Sequence, residues 1–211
     1  MESINEQQVF EDAHNGDHEA QYKLGVRYFL GNGVEEDAEK ALYWTEKAAT
    51  GGHAKAMVNC YHHFLIGIGV EKNTKSALLW AMAAAVKGDA KGQYNYGTMF
   101  DNGEGVPQNP RRAVRYYRLS AMQGYSGAQS DYALCLIEGD GVKQDIARGL
   151  DWLDKAVDQE EATALYNAGV FLYNGNIVDQ DIDLAFEYFL AASEQDEPNA
   201  LQVLDRWDEL V

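Results

Sequence analysis

The chain has 211 residues, 46% of them hydrophobic and 24% charged, with a formal net charge of −17 at pH 7. This balance excludes gross disorder and suits one compact domain or one continuous array with a real core. It also excludes nucleic acid or an anionic membrane as the main partner. No segment approaches the ~18 consecutive apolar residues of a membrane span. The segment Met1–Gly16 has neither a basic start nor an apolar run, which predicts no signal peptide unless a leader has been removed. Cys60 and Cys135 lie far apart, so the expected compartment is a reducing cytoplasm.

In chain order, Glu6–Gly16 reads as the end of a helix, a half-unit over 1–16. A full unit follows over 17–52. Its first helix is "HEAQYKLGVRYFL", with Ala20, Leu24 and Tyr28 four apart on one apolar face. Gly25 sits beside that face and permits close helix approach. The stretch "GNGVEEDAEKALYW" from Gly31 then joins this helix A to a helix B that buries Ala41, Trp44 and Ala48.

That stretch recurs from Gly67, Gly103, Gly139 and Gly175, each 36 residues after the last. Internal repetition therefore sets the architecture. The further units are 53–88, 89–124, 125–160 and 161–196, and 197–211 reads as a capping helix with Asp205 in place of the packing glycine. The Gly-x-Gly turn ends helix A. A valine (Val34, Val70, Val106, Val142, Val178) is expected as a buried plug beneath the loop. Asp37, Asn73, Asn109, Asp145 and Asp181 stand where helix B needs an N-cap. Five evenly spaced copies with no Lys-Ser/Thr after the turn are punctuation, not a phosphate loop. The predicted fold is all-α, a right-handed superhelical solenoid of five helix-turn-helix repeats.

The pattern "AQYKLGVRYFLGNGVEEDAEKALYWTEKAATGG" with its 36-residue period resembles the Sel-like repeat (SLR), a relative of the tetratricopeptide repeat. Several positions agree five times over. Tyr61 and Ala133 depart from the helix-A glycine, Ile177 from the second loop glycine and Gly149 from the helix-B alanine. The cysteine pairs of secreted bacterial members are absent. The resemblance implies a bacterial protein-binding scaffold or adaptor without catalysis.

In such an array helix A lines the concave surface. The residues placed there as a partner-binding groove are Tyr22, Phe29, Asn59, His62, Leu65, Tyr94, Asn95, Thr98, Asp101, Tyr166, Asn167 and Tyr173. Rings contact the side chains of an extended peptide while carboxamides bond its N–H and C=O groups. The competing reading is that the tyrosines pack between repeats.

His62, His63 and Cys60 do not form a metal set by spacing: Cys60 and His62 point to different faces, with His62 in the groove and His63 elsewhere. No cofactor is expected. No Ser-x-x-Lys element supports a β-lactamase-like hydrolase, the reading of a different class.

Residues 53–124 hold nine basic against four acidic residues, whereas 125–211 hold nineteen acidic against four basic. The acidic third suits a basic partner, and an immunity protein that neutralises a basic toxin or effector is the alternative function. Arg111, Arg112, Arg115 and Arg118 share one helix B. They read as a patch for an acidic partner or as an internal ladder with Asp151 and Asp154 one period on; the ladder is the expectation.

Overall fold

The computed structural model describes residues 2–207. Twelve α-helices and no strands occur among them. Residues 208–211, the end of the expected cap, lie outside the described residues.

The helices fall into two units, 1–109 and 110–211. In the first, α1 (Glu2–His14) packs on α2 (His18–Leu30), and α3 (Ala38–Thr50), α4 (Ala54–Ile66), α5 (Thr74–Val86) and α6 (Ala90–Asn102) follow, each packed on its predecessor. In the second, α7 (Pro110–Ala121), α8 (Ser126–Glu138), α9 (Ile146–Val157), α10 (Ala162–Asn174), α11 (Ile182–Ser193) and α12 (Pro198–Asp205) do the same. Packing passes from neighbour to neighbour, the contact pattern of an all-α solenoid.

Helix B is capped as its sequence requires. Asp37, Asn73, Asp145 and Asp181 each accept a hydrogen bond from the backbone N–H three residues on. In the third repeat Asn109 precedes Pro110, the first residue of α7. Helix A has caps of its own at the same register: Asp17, His53, Asp89, Glu161 and Glu197 cap by side chain, and Tyr125 does not. Small residues make the core. Ala41, Ala48, Ala56, Ala77, Ala84, Ala128, Ala156 and Ala164 have no exposed surface, which brings helices into close contact. A Cβ on Gly25 would stand 2.5 Å from Thr45 Oγ1, so α2 lies against α3 too closely for any side chain there.

Two expectations need correction. The loop valines Val34, Val70, Val106, Val142 and Val178 are half-buried, not buried plugs, because each loop lies at the edge of its helix pair. The charge ladder does not form: neither Arg115 nor Arg118 pairs with Asp151 or Asp154. Equivalent positions on successive outer helices are roughly a helix diameter, ~10 Å, apart, and solvated side chains do not close that gap unaided.

Candidate functional site

In the first unit α2 and α4 enclose a cavity of about 290 Å³. Val26 and Phe29 contribute from α2, Asn59, His62, His63 and Ile66 from α4, with Gly25 and Thr45 beside them. Phe29 is 44% exposed and Ile66 63%, so apolar surface stands open around it. The volume suits one large side chain and the lining is mostly apolar, as binding pockets are. Helical spacing explains the convergence: Asn59, His62, His63 and Ile66 recur every three or four residues along one side of α4.

Three residues predicted from sequence, Phe29, Asn59 and His62, thus meet at one place. His63 meets them there, against expectation. It is 5% exposed, its Nδ1–H donates to the Ile68 carbonyl at 2.8 Å, and its ring lies edge-on to Phe29 at 5.9 Å. The loop that follows α4 turns back to offer that carbonyl, and helical spacing alone does not reveal it.

His62 has its Nε2 buried without a hydrogen-bond partner. Burial, then Lys91 and His63, lower its pKa below the ordinary 6.5. It is therefore neutral at pH 7, with Nε2 unspent. Five buried side-chain polar atoms lack a partner among the described residues; three belong to predicted groove residues, His62 Nε2, Asn95 Nδ2 and Asn167 Nδ2, and a fourth, Ser130 Oγ, stands on α8 one period after Tyr94. Leaving such a group unpaired costs ~1–3 kcal/mol, so structures that do so call for an explanation.

The other predicted residues divide. Leu65, Tyr94 and Asp101 are half-buried on α4 and α6. Asn95 is only 5% exposed, and the Thr98 hydroxyl donates to the Asn95 backbone carbonyl at 2.8 Å. Tyr22 stacks on the His53 ring at 4.5 Å and packs against the core of the next repeat. Tyr166 packs against the Leu165–Ala192–Ala200 core with its ring 5.8 Å from Phe189, and Tyr173 lies 5.9 Å from Trp207. Tyr22 and Tyr166 therefore pack between repeats and are half-buried. A larger hollow of about 700 Å³ opens beside His14, His18, Tyr43, Glu46, Lys47 and Gly51; it is wide open and holds none of the predicted residues.

No group of three His, Cys, Asp or Glu side chains among the described residues is placed to hold a metal ion. Cys60 has no exposed surface and burial raises its thiol pKa; Cys135 is half-buried. No helix among the described residues is long and apolar enough to cross a membrane.

Helix pairs packed neighbour to neighbour define the class of α-helical repeat proteins. The Sel1 repeat matches residues 18–53, 60–89, 90–125, 126–160 and 162–197, and the chain belongs to the Sel1 repeat family. A Sel1 repeat protein from Oxalobacter formigenes is 31% identical, covers 90% of this chain and 76% of its own, and superposes with a TM-score of 0.81. The protective antigen c5321 of uropathogenic Escherichia coli, which displays an SLR fold, is 28% identical with a TM-score of 0.81 over 95% of this chain. This chain spans 43% of that protein's length. The immunity protein Pa5087 of Pseudomonas aeruginosa shares the fold at 16% identity and a TM-score of 0.54, covering 88% of this chain and 71% of its own. Comparison with curated proteins gave no match. Sel1 repeat proteins generally mediate protein–protein interaction and are generally non-catalytic.

Proposed function

We propose that this protein is a non-catalytic scaffold that binds a peptide or protein through the helix-A surface of its first unit, centred on Phe29, Asn59 and His62. One observation carries the reading: an open apolar cavity is lined by His62, whose buried Nε2 has no partner among the described residues, and Asn95 Nδ2 on α6 is likewise unpartnered among them. An apolar side chain of the partner fills the cavity. Small rotations of His62 and the asparagine carboxamides then give those atoms peptide groups to bond, which relieves an existing cost. Tyr94, with Thr98, Asp101 and Leu65, extends the surface along α4 and α6. Asn167 and Tyr173, with the half-buried Tyr166, offer the same chemistry in the second unit.

A pull-down from native lysate followed by surface plasmon resonance on folded variants tests this. Phe29→Ala, His62→Ala and Tyr94→Ala should each weaken binding by ~1–3 kcal/mol, as central anchors do. Unaltered affinity in all three moves the site off this face. The acidic balance of 125–211 favours a second reading, neutralisation of a basic effector in the manner of an immunity protein. Its mark is an association rate that falls steeply with salt and is slowed by neutralising Asp179 and Asp183.

A further inference from the structure

Helices α7 and α9 are the register-equivalent outer helices of the third and fourth repeats, and both pack on α8. Arg111, Arg115 and Arg118 lie along one side of α7; Asp151, Asp154 and Asp158 lie along one side of α9. All six side chains are exposed, and none forms an ion pair among the described residues. Lys155, next to Asp154 in sequence, holds its ammonium 4.0 Å over the Trp152 ring. Partial burial, Asp158 and Asp151 raise the pKa of Asp154, the sign of an acidic row without a counter-charge. A row of free cations beside a row of free anions, one repeat apart, is thus built into one face.

We propose that this face is a self-association surface whose occupant is the same face of a second copy. A two-fold axis parallel to the two helices lays α7 of each copy on α9 of the other. Arg115 then meets Asp151 of the second copy and Arg118 meets Asp154 of the second copy, and the reverse pairs form by symmetry. A two-fold axis across the helices sets arginine on arginine, so charge selects the first arrangement. The same 36-residue offset that keeps the rows apart within one chain puts them in register between two. Met122 and Leu119, 62% and 40% exposed at the end of α7, add apolar contact. Two helix faces make a small interface, below about 1,200 Å², so the dimer is transient. It also works against a net charge of −17 on each copy. Association therefore peaks near about 0.1–0.2 M salt, where the Debye length of ~8–10 Å damps the chain-wide repulsion while close pairs survive.

Sedimentation velocity on the full chain from about 10 to 500 μM tests this, with circular dichroism to confirm folding. The weight-average mass should rise from 23.5 kDa toward twice that value. The double variant R115D/R118D presents two acidic rows, D151R/D154R presents two basic ones, and each alone should stay monomeric. An equimolar mixture should associate at least as well as the unmodified protein. Three outcomes overturn the proposal: an unmodified chain that is monomeric throughout the range, self-association that either double variant leaves intact, or a mixture that fails to associate. The first means that solution leaves the rows unpaired, paired within the chain, or reserved for a foreign partner.

Discussion

Gly69 lies so close to Ala38 that a Cβ on the glycine would stand 2.1 Å from the alanine carbonyl oxygen. In three of the five loops the second glycine thus does more than turn the chain. Gly69, Gly105 and Gly141 butt against the first residue of the previous repeat's helix B, at Ala38, Thr74 and Pro110. Gly69 also has φ +68, in the left-handed region. Gly69→Ala should therefore destabilise by about 2–5 kcal/mol, combining backbone strain with overlap. Gly31 has a similar φ of +65 but nothing nearer than 3.5 Å, so Gly31→Ala should lose only the conformational share, ~1–2 kcal/mol. Urea denaturation of the two variants separates the effects, and equal losses would remove the inter-repeat role.

The cap of α4 is a histidine. His53 Nδ1 accepts the Ala56 N–H at 3.1 Å while Nε2 lies 3.0 Å from Glu19 Oε2, so Nδ1 is the bare nitrogen and Nε2 carries the proton. His53→Ala should lose ~1 kcal/mol, and His53→Asn should recover most of that because a short acceptor is restored. Equal stability of the two variants would show that the ring's stacking on Tyr22, not its capping, is what matters.

His62 gives stability a pH dependence of definite sign. Its folded pKa lies below 6.5, so the unfolded chain binds the proton first on acidification. Its favourable contribution is complete above about pH 6.5 and is lost as pH falls through the lower, folded value. Thermal melts at pH 7 and near pH 5 should show a smaller drop for His62→Leu than for the unmodified protein. Identical drops would mean that His62 is not held neutral.

Damage in a nearest-neighbour array stays local. Trp44 is 7% exposed and packs with Ala20 and Leu24, so Trp44→Ala should cost ~3–5 kcal/mol by leaving a cavity. Trp80, its equivalent in the second repeat, is half-buried against the Ala48–Ala84 cluster and should cost less. Hydrogen exchange should rise first in α1 to α4 for Trp44→Ala. Uniform loosening of both units would contradict nearest-neighbour packing.

Most of the fold was legible because each feature appears five times. Asp37, Asn73, Asp145 and Asp181 announce one helix start by a shared short acceptor, and Phe29, Asn59 and His62 follow from helical spacing. What escaped is what does not repeat chemically. The helix-A caps run Asp17, His53, Asp89, Tyr125, Glu161, Glu197, a column too mixed to notice although five of six cap in the same way. Register also says which residues are equivalent but not which touch. For that reason Arg115 and Asp151 looked paired and are not, and Asn95 looked open and is 5% exposed.

The two cysteines differ in access, and that makes the chain its own reporter. Cys60 has no exposed surface and a thiol held in its unreactive protonated form, whereas Cys135 is half-buried. Alkylation should mark Cys135 in the second unit first and reach Cys60 only when α4 parts from its neighbours. The lag between the two modifications then times the opening of the first unit, with no label engineered into it.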